Sequence, residues 1–146
     1  MSDAQSARFF VYGTARHGEP NHAALVAAGA RPVKSAGEVS RTAAGYSLVE
    51  VGPFAALVEE GAGVVVGEVY ELARAGFFPL LRALDPRGIF QLGRVRLEDG
   101  TTVESLVLAV DQARGKRRIR GGDWRARFQP LPRQPGLRNA PPVRRG

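Results

Sequence analysis

The chain has 146 residues, 44% hydrophobic and 24% charged, which is the balance of one ordinary globular domain. It has no cysteine and only two histidines, so disulfide scaffolds, cysteine nucleophiles and three-histidine metal sites within one chain are excluded. The net charge of +7 is unevenly divided: residues 1–111 carry 10 basic and 13 acidic side chains, and residues 112–146 carry 11 and 1. The sequence therefore predicts a mildly acidic body with a basic C-terminal segment.

The N-terminal residues do not form a signal peptide pattern, because the apolar stretch that follows the polar start is only a few residues long. The longest apolar stretch, residues 61–69, is far below the roughly 18 residues that span a bilayer. We therefore expect a soluble, cytoplasmic protein without a membrane segment. We also expect neither a metal nor another cofactor.

The first quarter of the chain predicts a strand and then a helix. Arg8–Tyr12 is an aromatic and β-branched run that stops at Gly13, which is typical of a buried strand entering a tight turn. Asn21 is a residue type that caps helices, and it precedes a helix that we predict over residues 22–30.

The middle of the chain predicts further strands. Their expected ranges are residues 33–42, 46–51, 54–58 and 63–72. Gly67 lies inside the last of them, and a glycine within a strand indicates a bulge or a close approach of another backbone.

The next elements are a helix and a hairpin. Residues 75–84 carry apolar side chains at helical spacing, and residues 90–97 and 102–110 form a hairpin around an Asp-Gly turn. Because strands dominate without βαβ alternation, we predict an α+β fold with a mixed or mostly antiparallel sheet. We expect one domain over residues 1–128 and an irregular Pro- and Arg-rich tail over residues 129–146.

The turn after the first strand is the first candidate site. Successive backbone N–H groups in such a turn can point into one concavity that suits a carboxylate or an oxyanion. We therefore expect Tyr12, Gly13, Thr14 and Ala15 to bind a substrate, with the Thr14 hydroxyl as an additional donor or acceptor. The pattern alone is also that of an ordinary glycine turn, so its meaning depends on the motifs that follow it.

Those motifs follow in a recognisable order. They are Gly45-Tyr46-Ser47-Leu48, Gly52-Pro53-Phe54-Ala55-Ala56, Gly67-Glu68-Val69-Tyr70, Leu84-Asp85 and Gly122-Asp123-Trp124. Together with the first turn they resemble the γ-glutamylcyclotransferase-like (AIG2-like) family over about residues 8–124. The resemblance implies a small mixed or antiparallel β-barrel flanked by short helices, with the Tyr12 turn at one mouth.

The resemblance also implies a reaction. In the family's enzymes the backbone amides of this turn hold a γ-glutamyl group, whose own α-amine attacks the γ-carbonyl and releases 5-oxoproline. A glutamate carries the proton from the amine to the leaving nitrogen, and the amides stabilise the oxyanion. The implied ligand is a γ-glutamyl or related small amine or carboxylate metabolite, and the implied setting is a biosynthetic pathway.

The sequence departs from the family at the catalytic glutamate. The family pattern Leu-Asp-x-x-Glu-Gly is replaced by Leu84-Asp85-Pro86-Arg87-Gly88, so Arg87 stands in the glutamate's place. An arginine does not accept a proton at neutral pH.

Three alternatives follow, and whether the protein is an enzyme stays open at this point. In the first, Glu68 or Asp85 acts as the catalytic carboxylate instead. In the second, the protein is a catalytically inactive metabolite-binding or interaction module, in which Arg87 pairs with a carboxylate or phosphate. In the third, the protein is a specialised enzyme, of the γ-glutamyl cyclotransferase or acyltransferase type, that acts on an atypical γ-glutamylated substrate.

Residues 114–127 form a basic segment with seven basic side chains against Asp123. Such a segment predicts a salt-sensitive attraction to nucleic acid or to an acidic protein partner. The alternative is a solvated surface stretch without a partner.

Overall fold

A computed structural model of the protein describes residues 6–128, and the tail predicted over residues 129–146 lies outside them. The described residues form eight strands and two α-helices, joined by turns and short 3₁₀ segments. In chain order they are β1 (Ser6–Val11), α1 (His22–Ala27), β2 (Arg31–Pro32), β3 (Ser40–Arg41), β4 (Tyr46–Val51), β5 (Phe54–Gly63), β6 (Val66–Ala73), α2 (Phe77–Leu84), β7 (Gln91–Arg96) and β8 (Thr102–Leu108).

The strands form one mixed sheet whose order is β2-β6-β1-β8-β5-β4, with β3 on β6 and β7 on β8. The β1–β6, β4–β5 and β7–β8 pairs are antiparallel, while β8 runs parallel to both β1 and β5. The predicted α+β class is confirmed. The expected barrel is corrected, because the sheet does not close: β2 has two residues, and the outer edge of β4 pairs with residues 117–119 instead.

Helix α1 ends at Ala27, three residues before the end of the predicted range 22–30. Gly29 adopts φ +81° and donates its N–H to the carbonyl of Val26, while the next N–H bonds to the carbonyl of Leu25. This is a Schellman C-cap, which glycine permits because it adopts the left-handed conformation without a steric penalty.

The strand predicted over residues 33–42 is mostly wrong. Glu38 donates its N–H to the carbonyl of Ser35 and accepts the Ser35 N–H on its side chain, which makes a turn. Only Ser40–Arg41 remains as a strand in the predicted range. The local hydrogen bonds of this polar stretch replace a ladder, as polar side chains near turns do.

Strand β5 is ten residues long, five more than predicted. It stays paired with β4 beyond a register irregularity between Tyr46 and Ser47, and this pairing extends the strand.

The glycine inside β6 marks a close approach of another backbone, as predicted. A Cβ at Gly67 would lie 2.2 Å from the carbonyl oxygen of Val11. Strands β1 and β6 therefore pack against each other only with glycine at this position.

Alternate residues of β1 enter two different hydrophobic clusters. Phe9 packs with Leu25 and Phe77 beneath the helices, and the Phe9 and Phe77 rings meet edge to face at 5.5 Å. Phe10 packs with Leu57 on the other side of the sheet. Burying each such side chain contributes about 1.5–3 kcal/mol, so β1 is anchored on both faces and the turn after it has a fixed starting point.

Candidate functional site

The site begins where two strands separate. One edge of β8 pairs with β1 at residues 104–105 and then with β5 at residues 107–108, while β7 occupies the other edge. Strands β1 and β5 therefore part beside Leu106. A cleft of about 690 Å³ opens there, bounded by the turn after β1, the β4–β5 turn and the loop after α2.

Side chains satisfy the backbone groups that the strand separation leaves unpaired. The Tyr12 hydroxyl donates to the Leu106 carbonyl at 2.6 Å, and the Ser105 hydroxyl donates to the Phe10 carbonyl at 2.8 Å. A buried carbonyl without a partner is unfavourable. Burial is the main reason why the pKa of Tyr12 lies well above its ordinary value, so this hydroxyl stays a donor. Tyr12 lines the cleft, but its hydroxyl proton is engaged in the bond to the Leu106 carbonyl.

The turn after β1 lines the cleft and has backbone N–H groups without acceptors among the described residues. The carbonyls of Gly13 and Thr14 accept the N–H groups of Arg16 and Asn21, and the Asn21 amide donates to the Thr14 hydroxyl at 2.7 Å. In contrast, the N–H groups of Gly13, Thr14 and Ala15 have no acceptor within residues 6–128. All three residues line the cleft. This is the donor arrangement that binds a carboxylate or an oxyanion.

Glycine at position 13 is not required by the fold. Its φ is not positive, and a Cβ would meet the Cβ of Ala55 at 3.7 Å, an ordinary van der Waals contact. A methyl group at position 13 would therefore fit beside Ala55, which also lines the cleft.

Asp85 holds the loop that forms another side of the cleft. Its two carboxylate oxygens accept the N–H groups of Ile89 and Phe90, each at 2.9 Å. Arg87 is exposed in the same loop, lines the cleft and has no ion pair among the described residues. The structure therefore brings Asp85 and Arg87 to the same cleft as the turn at residues 12–15.

Glu68 does not line this cleft. Its carboxylate is buried and accepts the His17 N–H and the Tyr70 hydroxyl, each at 2.8 Å, and the Arg16 Nε at 3.2 Å. Burial alone would raise the pKa of Glu68, but the His17 N–H, the Tyr70 hydroxyl and the Arg16 guanidinium lower it below its ordinary value. Glu68 is thus an ionised anchor behind the turn, separate from the other predicted site residues.

The C-terminal part of the domain holds the same turn. Arg16 donates to Asp123 at 2.9 Å, and Arg125 pairs with Glu19 at 2.9 Å and donates to the carbonyl of His17. Sequence reasoning missed these roles of Arg16, Asn21 and Arg125. The available signals were the arginine next to the turn and the acidic residue in the Gly-Asp-Trp motif.

The basic segment is held at the outer edge of β4. Glu50 donates its N–H to the carbonyl of Arg117, and Ile119 donates its N–H to the carbonyl of Leu48 and is buried. Five basic residues in the first half of the segment are exposed and make no ion pair among the described residues: Arg114, Lys116, Arg117, Arg118 and Arg120. A second cavity, of about 470 Å³, lies beside Arg118 and Arg120.

No cluster of three or more His, Asp or Glu side chains within residues 6–128 is arranged to hold a metal ion. Neither α-helix in the described part of the chain has the length and apolar character needed to cross a membrane.

Comparison with known proteins points to one family. The sequence profile of the family described as gamma-glutamyl cyclotransferase, AIG2-like, matches residues 9–126. No curated protein matches the chain.

Solved structures share the fold. The Escherichia coli protein c4763, specific to uropathogenic strains, is 25% identical with a TM-score of 0.72, covering 86% of this chain and 95% of that one. YkqA from Bacillus subtilis is 26% identical with a TM-score of 0.60, covering 83% and 40%. A mouse AIG2-like protein is 24% identical with a TM-score of 0.55, covering 73% and 78%.

Proposed function

The chain belongs to the gamma-glutamyl cyclotransferase, AIG2-like family, and on that premise we propose that it converts a γ-glutamyl amide into 5-oxoproline and a free amine. One observation carries the proposal: Gly13, Thr14 and Ala15 line the cleft, and their N–H groups have no acceptor among the described residues. Preorganised N–H donors of this kind stabilise the negative charge that develops on a carbonyl oxygen during attack.

The reaction needs one proton carrier. The substrate's α-amine loses a proton and attacks the γ-carbonyl carbon, the carbon–nitrogen bond to the leaving amine breaks, and the leaving nitrogen gains the proton. We assign the role of proton carrier to Asp85, which is the one carboxylate among the described residues that line the cleft. The Ile89 and Phe90 N–H groups orient this carboxylate, and an ionised carboxylate with two such bonds retains further acceptor positions.

Two other residues take supporting roles in the proposal. Arg87, exposed at the cleft, pairs with the substrate's α-carboxylate, since a guanidinium binds a carboxylate with two parallel hydrogen bonds. Glu68 positions the turn through the His17 N–H and Arg16 and does not transfer protons.

The test is to incubate the full chain with a panel of γ-glutamyl amides and to measure 5-oxoproline and free amine in equal amounts. Asp85→Asn should lower kcat at least about a hundredfold, the usual scale of a lost acid–base group. Asp111→Asn, an exposed acid away from the cleft, is the matched control. If no amide yields 5-oxoproline while glutamate raises the Tm, the protein is a metabolite-binding module and the enzymatic proposal is wrong.

A second candidate function is favoured by the exposed, unpaired basic segment at residues 114–120. We propose that it attracts a polyanion, nucleic acid or an acidic protein, through charge alone. Gel shifts with random DNA, RNA and an acidic polypeptide should show binding that weakens as salt is raised. Absence of binding at low ionic strength would contradict this role.

A further inference from the structure

The cleft changes character from its inner end to its mouth. The inner end is lined by the turn at residues 13–15, whose N–H groups have no acceptor among the described residues. At the mouth, Phe54 and Ile89 each leave 46% of their surface exposed while lining the cleft. Further apolar residues line the same cleft: Val51, Pro53, Leu84, Pro86 and Phe90.

When a ligand covers exposed apolar surface of this kind, the free energy of binding becomes more favourable by about 25 cal/mol per Å² of apolar surface buried. The cleft volume of about 690 Å³ lies within the usual range for sites that bury a drug-sized ligand. A γ-glutamyl group bound at residues 13–15 therefore leaves the apolar mouth to the amine portion of the substrate.

The charges of the cleft point the same way. Asp85 and Arg87 are the charged residues among those described that line it, and both carboxylate oxygens of Asp85 already accept backbone N–H groups. In the proposed reaction Asp85 carries the proton and Arg87 holds the α-carboxylate, so an amine portion with a second positive charge finds no further carboxylate among the described residues that line the cleft. Such a charge would lose hydration without gaining a partner.

We infer that the leaving amine of the substrate is apolar, an aryl or alkyl amine, and carries no second cationic group. This inference rests on the proposed cyclotransferase function and adds its substrate class. The turn at residues 13–15 holds the γ-glutamyl group, and Phe54 and Ile89 cover the amine portion.

Two matched series test the inference. The first compares γ-glutamyl-phenethylamide with γ-glutamyl-putrescine, and the rate of 5-oxoproline release is measured with the full chain. We expect kcat/KM to be at least about tenfold higher for the phenethylamide, the scale of one apolar group in a pocket. The second uses the α-N-acetyl derivatives of both compounds, which cannot cyclise because the amine is blocked, and measures Kd by calorimetry.

The two series separate the two claims. No 5-oxoproline from either amide would overturn the proposed function, and the Kd values would still test the apolar preference. Equal Kd values, or tighter binding of the putrescine derivative, would overturn the inference even if both amides are turned over.

Variants locate the preference in the cleft. Phe54→Ser and Ile89→Ser should each weaken binding of the phenethylamide derivative several-fold while changing the Kd of the putrescine derivative little. Phe78→Ser is the matched control, because Phe78 is 71% exposed on α2 and does not line the cleft. Equal effects of all three variants would contradict a role of the cleft mouth.

Discussion

Arg16 and Glu68 form an ion pair in which both side chains are only 2% exposed and Nε lies 3.2 Å from Oε2. The pair lies behind the turn at residues 13–15, which lines the cleft. A second Arg16 contact reaches Asp123, near the end of the described chain. The buried charges of Arg16 and Glu68 therefore hold one short turn in position. A change that breaks this pair affects both the stability of the domain and the geometry of the site.

Replacing Glu68 by Gln leaves the Arg16 charge with Asp123 as its remaining anion. Breaking a buried pair by removing one partner destabilises by about 3–5 kcal/mol. We expect a loss of about 3 kcal/mol in the free energy of unfolding, measured by urea denaturation. Glu104→Gln is the control, since it removes the more exposed Arg74–Glu104 pair, worth about 0–1 kcal/mol. Equal losses in both variants would contradict the anchoring role of Glu68.

The lowered pKa of Glu68 predicts how stability depends on pH. The folded-state pKa lies below the ordinary value of 4.5, so the carboxylate stabilises the fold fully above pH 4.5 and loses this effect as pH falls through the folded pKa. Urea denaturation of wild type and Glu68→Gln between pH 7 and pH 3 should show the gap between them closing below pH 4.5. A gap that stays constant to pH 3 would be inconsistent with this shift.

Gly13→Ala should separate binding from stability. Neither φ nor packing requires glycine here, so the free energy of unfolding should change by less than about 0.5 kcal/mol. Gly13 lines the cleft, so the added methyl group should crowd a bound substrate, and we expect kcat/KM for γ-glutamyl amides to fall at least about tenfold. Gly67→Ala provides the contrast, since its Cβ would collide with Val11 and should destabilise strongly. A Gly13→Ala protein with unchanged kinetics would exclude this turn from the site.

Tyr12→Phe removes the donor that satisfies the Leu106 carbonyl where β1 and β5 separate. A buried acceptor left without its partner costs about 1–3 kcal/mol. Thermal and urea unfolding should both register this loss. A Tyr12→Phe protein as stable as wild type would mean that another group or water replaces the hydroxyl.

The sequence predicted the local elements well because each has a local signal. For the aromatic run of β1, the apolar face of α2 and the Asp-Gly hairpin turn, the residues that form each signal lie within a few positions of one another in sequence. Family motifs likewise indicated the turn at residues 12–15 together with Asp85 and Arg87, and these residues share one cleft.

The missed features depend on partners distant in sequence. The Arg16–Asp123 contact spans 107 positions, and no local pattern identifies which of many arginines makes it. The sequence analysis also expected a barrel instead of the open sheet. Residues 117–119 pair with β4, and Ile119 packs into the core, which are contacts between parts of the chain that lie far apart in sequence. Asn21 was expected to cap α1, but its side chain donates to Thr14 instead.

Release of 5-oxoproline from γ-glutamyl-phenethylamide by wild type, Asp85→Asn and Asp111→Asn decides whether Asp85 carries the proton of a cyclotransferase reaction. Wild type and Asp111→Asn should each release 5-oxoproline and phenethylamine in equal amounts, and Asp85→Asn should release them at least about a hundredfold more slowly. An Asp85→Asn protein as fast as wild type, or no release from any of the three proteins, would overturn this role of Asp85.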